Sequence, residues 1–470
     1  MRDTIKFGTD GWRAIMCDSF IFKNVRIVTQ AIANYLHNCG LSEKGVVIGY
    51  DNRFCSEDFA DVCASVLIGN KIPVFLIKDS TPTPVTACSI NFFKAAGAIM
   101  LTASHNPAKY NGLKFVPEYA GPATSEITSQ IEKEINLIFK NKKVFFDDTK
   151  GNDLLHVIDP VDRYLEHLKG LINFEVIREA KLKIAFDPMY GSGQVVMKKV
   201  LEEAGCEVYP INDYRDVLFG GRLPEPSLEN LSELQSLVLS KKADLGLALD
   251  GDADRFGTID NKGYFLSSNQ GLSVLCSYLL GDRKSDGKVV RTISTTHLLD
   301  KIAAKFGVKF EETPVGFKYI GQIMLKEPVV IGGEESGGLS ILGHVPEKDG
   351  ILAGLLFCEV TANKNESLSN LLDEIYSEYG HFYNYRLDIH CSQDKKTKLL
   401  RDLKNNPPSS ISGLKVNEVL LKDGVKFLLE GDSWILIRPS GTEPLVRIYM
   451  ESCSTKTLEN LRQYAETLLN

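Results

Sequence analysis

Four short polar segments carry residue types that could do chemistry together: Thr102-Ala-Ser-His-Asn-Pro107, Asp250-Gly-Asp-Ala-Asp-Arg255, Gly332-Gly-Glu-Glu-Ser-Gly-Gly338 and Arg438-Pro-Ser-Gly-Thr-Glu-Pro444. A serine hydroxyl is a weak nucleophile until a base, a metal or local positive charge assists it. Ser104 has His105 beside it and Lys109 and Lys114 close downstream. Taken alone, the segment reads equally well as a turn stopped by Pro107. The GxSxG elbow of serine hydrolases is absent, so acyl transfer gains no support. Asp250, Asp252 and Asp254 put three carboxylates within five residues. That much negative charge is costly to pack unless a hard cation neutralises it, and all-oxygen ligation suits Mg²⁺, with open positions for phosphate oxygens. An EF-hand is excluded, because its sixth position would be Arg255 instead of Gly and its twelfth Asn261 instead of Glu. A solvated acidic turn is the competing reading.

Arg438, Ser440, Gly441 and Thr442, with Arg447 nearby, offer a guanidinium fork, two hydroxyls and flexible backbone N–H groups, a set that suits a phosphate dianion. A hairpin turn on Pro439 and Gly441 is the plainer alternative. Glu334 and Ser336, flanked by glycines, supply acceptors and a donor on backbone that can approach a sugar closely. Gly191-Ser-Gly193 is not a dinucleotide fingerprint, since the third glycine would fall at Val196.

These segments each follow a short apolar run ending at Ile99 to Leu101, Leu249, Ile331 or Ile437. In open α/β sheets ligands bind outside the carboxyl ends of strands, so the pattern places all four where ligands are met. Strand-length apolar runs at 46–50, 98–101, 182–186, 245–249, 289–293 and 329–331 alternate with helix-length amphipathic stretches. One such helix opens at Ser56, with Phe59, Cys63, Val66 and Leu67 on one face; another runs through Val200 and Leu201 to a stop at Gly205. The alternation predicts three tandem α/β domains with mixed, mostly parallel sheets. From about residue 376 the pattern changes to strands at 385–389, 426–429, 434–437 and 447–450, with helices from Asp394 and Thr455, a smaller α+β domain. Polar or Gly-containing connections put boundaries near 150, 262 and 375, giving domains 1–150, 151–262, 263–375 and 376–470.

The 470 residues are 43% hydrophobic and 24% charged, ordinary globular usage, with a net charge of −7 and no clustered basic surface for a nucleic-acid partner. Ten cysteines occur without a CxxC pair, as expected of thiols in a reducing compartment. No apolar leader or membrane-length run is present, so the sequence predicts a cytoplasmic protein with no membrane partner.

With the opening Phe7-Gly-Thr-Asp-Gly-Trp-Arg13, the four segments in this order resemble the α-D-phosphohexomutase superfamily, from Phe7 to Arg447. The resemblance implies three related α/β domains and a C-terminal domain of the TATA-binding-protein-like type around a central cleft. It implies that Ser104 is the phosphorylated serine, that Asp250, Asp252 and Asp254 hold Mg²⁺ together with the phosphate on Ser104, and that Lys114 transfers a proton. It gives Arg13, His105 and Arg255 to the reacting phosphate, Glu334 and Ser336 to sugar hydroxyls, and Arg438, Ser440, Gly441 and Thr442 to the non-reacting phosphate. In Thr313-Pro-Val-Gly-Phe-Lys318, Phe317, followed by Lys318, stands where some members have His after the Gly; this form together with the Gly332–Gly338 loop is more similar to phosphoglucomutases, and Lys318 could add charge at the distal phosphate. The implied reaction interconverts hexose 1- and 6-phosphates, most simply of glucose with mannose possible, through a 1,6-bisphosphate that must turn over; glucose 1,6-bisphosphate would be activator and intermediate. Phosphoglucosamine mutase and a metal-dependent sugar phosphatase are the alternatives. A monomer or homodimer acting on small sugar phosphates is the expected assembly.

Overall fold

The computed structural model describes residues 5–8, 10–439 and 445–468. Its strands form four sheets, and the reason is visible in their burial. Five-residue strands with both faces covered need near-continuous apolar runs. This is how β2 (Val46–Tyr50), β4 (Gly97–Leu101) and β9 (Leu245–Leu249) read, β9 being buried throughout. The first sheet also contains β1 (Trp12–Ile15), β3 (Val74–Ile77), β5 (Tyr110–Pro117) and β6 (Leu155–Ile158), in the order β1-β5-β4-β2-β3-β6. Here β4, β2, β3 and β6 run parallel, while β5 is antiparallel to both β4 and β1. Its sixth strand comes from beyond residue 150, where the chain returns along β3.

In the second sheet β7 (Lys183–Asp187), β8 (Glu207–Pro210) and β9 are parallel, and β10 (Phe256–Asp260) and β11 (Phe265–Leu266) continue it antiparallel, in the order β11-β10-β9-β7-β8. The β9–β10 connection is therefore a hairpin loop holding 250–255. Next, β12 (Lys288–Thr292) lies between β13 (Phe310–Thr313) and β14 (Val329–Gly333), all parallel, with β15 (Leu339–Ile341) following in the chain. The mixed, mostly parallel character expected of these regions is what the pairing shows.

The last sheet is wholly antiparallel: β16 (Tyr383–His390), β17 (Ser410–Ile411), β18 (Leu414–Leu420), β19 (Val425–Leu429), β20 (Trp434–Pro439) and β21 (Leu445–Ser452), in the order β16-β21-β20-β19-β18-β17. Leu403 of the helix Gln393–Asn405 and Leu461 and Ala465 of the helix Thr455–Thr467 share one core with Phe427, Ile435, Ile437 and Ile448. This is the predicted α+β domain, with the first helix capped one residue earlier than Gln393 by Ser392.

By internal contacts the chain divides into two compact units, Met1–Gly271 with Gly321–Pro328 and Ser336–Ser369, and Leu272–Ile320 with Val329–Glu335 and Asn370–Asn470. Among the described residues no helix is long and apolar enough to cross a membrane.

Candidate active site

Ser104 sits in the loop between β4 and β5, almost fully buried, with a left-handed backbone (φ 49°) that a side-chain-bearing residue adopts only when its surroundings hold it there. Two devices hold it. The Thr102 hydroxyl accepts from the Ser104 N–H at 2.9 Å. The guanidinium of Arg53, fully buried, spends all five N–H donors: Nε on Asp51 at 3.1 Å, Nη1 on the carbonyls of Pro107 and Tyr110, and Nη2 on those of Ser104 and Asn106. Arg13, on β1, donates to Asn106 Oδ1 at 2.8 Å and so braces the same loop.

The hydroxyl of Ser104 donates to Asp250 Oδ2 at 2.9 Å. Asp250 also closes its own loop, Oδ1 accepting from the N–H groups of Asp254 and Arg255 at 2.9 and 3.0 Å. The two loops meet closely at Gly251, where a Cβ would lie 2.7 Å from the Ser104 carbonyl oxygen. Asp252 Oδ2 accepts from Lys114 Nζ at 2.6 Å and from the Thr83 hydroxyl at 2.7 Å. Asp254 Oδ2 pairs with Lys348 at 2.8 Å and with Lys114 at 3.4 Å. Gly350 lets the helix Gly350–Lys364 abut this loop, since a Cβ there would fall 2.4 Å from the Arg255 carbonyl oxygen. Arg255 itself reaches Glu225 at 3.5 Å.

Charge decides the protonation states. Burial alone would raise every carboxyl here, but Lys114 and Lys348 overcome it at Asp252 and Asp254, which are held below the usual range. At Asp250 burial followed by repulsion from Asp254 and Asp252 outweighs Arg255 and the Ser104 hydrogen bond and pushes the carboxyl well above that range. Lys114, despite a burial that works against its charge, is raised by Asp252 and Asp254 and stays charged. His105 Nδ1 lies 3.3 Å from Ser104 Oγ, and burial with Arg255 and Arg13 nearby keeps that ring neutral.

Carboxylate oxygens of Asp250, Asp252 and Asp254 lie within 4.8 Å of one another. Oδ1 of Asp252 and Oδ1 of Asp254 are buried without a hydrogen-bond partner, a costly state for acceptors. An all-oxygen set with two orphaned acceptors fits a hard divalent cation.

The remaining expected residues are held by their own local partners. In the second unit, Glu334 is buried and accepts from the Gly316 N–H at 3.0 Å, joining the sugar-type loop to the segment Thr313 to Lys318. Its neighbour Glu335 accepts from Ser294 at 2.7 Å. Lys318 lies with Nζ 4.8 Å from the Tyr319 ring centroid. Arg438 on β20 and Arg447 on β21 are direct cross-strand partners. Like charges so placed repel; Asp423, 2.8 Å from Arg438 Nε, and Asp388, 3.8 Å from Arg447 Nε, offset that in part. Such a doubled guanidinium is an anion-binding arrangement. Ser336, half-buried, belongs to the first unit, where Phe256 donates to the adjacent Gly337 carbonyl at 3.2 Å. Ser440, Gly441 and Thr442 lie outside the described residues.

Sequence reasoning missed Arg53, Thr83 and Lys348. Arg53 follows a fully apolar strand by three residues, and Asp51-Asn-Arg53 at a strand's carboxyl end was the available signal. Lys348 precedes the helix N-cap Asp349 and carried none.

Comparison with known proteins agrees with this geometry. The phosphoglucomutase/phosphomannomutase alpha/beta/alpha domain I matches residues 4–142, domain II 162–263, domain III 267–379 and the C-terminal domain 390–467. The chain is 30% identical to a phosphoglucomutase/phosphomannomutase of Thermococcus kodakarensis, over 98% of this chain and 96% of that one. It is 33% identical to a Methanobrevibacter smithii protein assigned as a phosphoglucosamine mutase, over 97% and 96%. Among solved structures, a Thermus thermophilus protein assigned as a phosphomannomutase superposes with a TM-score of 0.85 at 32% identity, covering 99% of each chain.

Proposed function

The chain belongs to the phosphoglucomutase/phosphomannomutase family, and on that premise we propose that it interconverts hexose 1- and 6-phosphates by way of a phosphoserine at Ser104. The observation that carries this reading is the Ser104 hydroxyl 2.9 Å from Asp250, with Lys114 and Lys348 on the neighbouring aspartates. In the proposed reaction the phosphoryl group on Ser104 Oγ passes to the free sugar hydroxyl: the serine P–O bond breaks, a sugar P–O bond forms, and the hydroxyl proton leaves. The bisphosphate turns over and returns its other phosphoryl group to Ser104. Charge spread over the transferring group is the main demand on the protein.

Lys114 and Lys348 supply fixed positive charge beside the aspartate loop. Lys114 Nζ, 2.6 Å from Asp252 Oδ2, supplies charge there, and it is also the group given the proton transfer. The neutral His105 ring, 3.3 Å from Ser104 Oγ, has the protonation state of a proton acceptor. Asp250, Asp252, Asp254 and the phosphate on Ser104 would hold Mg²⁺, which when bound neutralises charge on the phosphoryl oxygens. Arg438 and Arg447, with the segment containing Ser440, Gly441 and Thr442, are given the non-reacting phosphate, and Glu334, Ser336 and Lys318 the sugar. The ten free cysteines support a reducing, cytoplasmic setting.

For the sugar, the name of the Methanobrevibacter smithii relative favours glucosamine phosphate. Glucose phosphate is the second reading, favoured by Phe317, Lys318 and the Glu334-Glu335-Ser336 loop. Assays with the 1-phosphates of glucosamine, glucose and mannose, with Mg²⁺ and a trace of the matching 1,6-bisphosphate, test both levels. Formation of a 6-phosphate is expected, fastest with glucosamine. Release of inorganic phosphate without any 6-phosphate would replace the mutase by a phosphatase.

A further inference from the structure

Three metal-ligating side chains that the mutase reading does not use lie together in the unit that holds Ser104. Cys88 is buried on the helix Thr83–Phe93, His167 is half-buried near the end of the helix Val161–Lys169, and His344 lies in the loop before the helix Gly350–Lys364 with its side chain 0% exposed. Their sulfur and ring nitrogens are within 4.8 Å of one another. His167 Nε2 and His344 Nδ1 are 2.9 Å apart. On its far side, His344 Nε2 lies 3.0 Å from Asp349 Oδ2, close enough for charge pairing but out of line for a good hydrogen bond, so this buried nitrogen has no hydrogen-bond partner. Asp349 cannot move to meet it: Oδ2 accepts from the Tyr164 hydroxyl at 2.7 Å, and Oδ1 caps the helix through Leu352 N–H at 2.9 Å.

We infer that Cys88, His167 and His344 form a second metal site, taking zinc(II) through one thiolate sulfur and two imidazole nitrogens. The donor set separates it chemically from the aspartate loop: sulfur and imidazole select a borderline-soft ion such as zinc over magnesium. A carboxylate behind a ligating histidine orients the ring, which is the position Asp349 occupies behind His344. With His344 protonated on Nε2 toward Asp349 and His167 protonated on Nδ1, both facing nitrogens are free to ligate. Binding then releases a single proton, that of the Cys88 thiol, to solvent. The two nitrogens must separate slightly, to the roughly 3.3–3.4 Å of a tetrahedral ion with Zn–N near 2.0–2.1 Å, and the same ring adjustment would bring His344 Nε2–H into line with Asp349.

The site has a mechanical consequence. The helix that carries Cys88 begins at Thr83, which donates to Asp252, and the loop that carries His344 also carries Lys348, which pairs with Asp254. Zinc would clamp together two segments that hold the aspartate loop.

The test uses the full, tag-free chain, stripped with chelator and held in saturating Mg²⁺ so that the acidic loop is filled. Zinc is titrated against a chromophoric chelator, and cobalt(II) is substituted for spectroscopy. The expected result is one zinc per chain at submicromolar affinity, a thiolate-to-cobalt charge-transfer band, and a higher melting temperature with zinc. All three should be lost in Cys88→Ser and in His167→Gln and kept in Cys453→Ser, which removes an exposed thiol. Should Cys88→Ser fail to fold, the half-buried His167→Gln decides. Absence of stoichiometric zinc, a cobalt complex without the thiolate band, or zinc binding undiminished in His167→Gln would overturn the assignment and leave an ordinary histidine–histidine hydrogen bond.

Discussion

Replacing Arg53 by methionine should damage both stability and turnover, because this one side chain fastens the Ser104 loop. Its guanidinium is fully buried and bonded to Asp51 and to four loop carbonyls, those of Ser104, Asn106, Pro107 and Tyr110. Removing one partner of a buried ion pair costs about 3–5 kcal/mol. Each orphaned carbonyl would add about 1–3 kcal/mol if nothing moved, so the loop is expected to shift until water reaches it and the total returns toward the ion-pair figure. A shift on the order of 1 Å at the nucleophile costs about a hundredfold in rate. Urea melts of the full chain and initial rates at saturating substrate read the two effects separately. Arg53→Lys should recover less than half of either, since three donors on a point charge cannot serve five divergent acceptors. The double variant Asp51→Asn with Arg53→Met should be more stable than the sum of the single losses, because it leaves no unpaired charge. A stability change within about 0.5 kcal/mol with normal kcat would refute the reasoning. Full kcat in a destabilised but folded variant would refute the positioning half of it.

Three further outcomes follow from particular residues. Asp252→Asn should raise the Mg²⁺ concentration for half-maximal activity by about tenfold or more, a decade being about 1.4 kcal/mol, while zinc binding at Cys88 stays unchanged; an unaltered Mg²⁺ response would return the triad to a solvated turn. Arg438→Ala should weaken both sugar monophosphates by roughly 1.5–3 kcal/mol, tenfold to a hundredfold, and increase escape of bisphosphate; unchanged affinities would remove it from the distal-phosphate role. Asp187 is buried, and burial raises its carboxyl to about 6 despite bonds from Met189 and Asn212. A raised carboxyl favours folding only while protonated, so wild-type stability should fall as pH rises through about 6. Asp187→Asn should therefore gain stability over wild type by on the order of 3 kcal/mol at pH 8, with no gain below pH 4; melts at both pH values check it.

The parts of this fold that the sequence disclosed are those written in local patterns. The run Leu245–Leu249 is a strand with the predicted ends because both its faces are buried, and Gly205 stops its helix at φ 88°. The four polar loops were legible because each gathers its functional groups within a few adjacent residues. What depended on distant partners was not. β5 is antiparallel between β4 and β1, a pairing across about a hundred residues that no periodicity encodes. Arg53 looks like a surface charge until the loop at 104–110 folds over it, and Lys348 becomes part of the site only through Asp254. Lys114 was named through the family resemblance of the segment after Ser104, which says nothing of its ion pairs with Asp252 and Asp254.

The phosphoryl-enzyme at Ser104 is the claim on which the rest depends, and a label chase tests it most directly. The purified protein is incubated with ³²P-labelled hexose 1,6-bisphosphate and Mg²⁺, freed of small molecules, and chased with unlabelled hexose 1-phosphate while peptides are mapped. The expected result is label on Ser104 alone, transferred to bisphosphate and then to 6-phosphate at the rate of turnover, with no label and no turnover in Ser104→Ala. Turnover persisting in Ser104→Ala, or label that stays on the protein through many turnovers, would contradict the account.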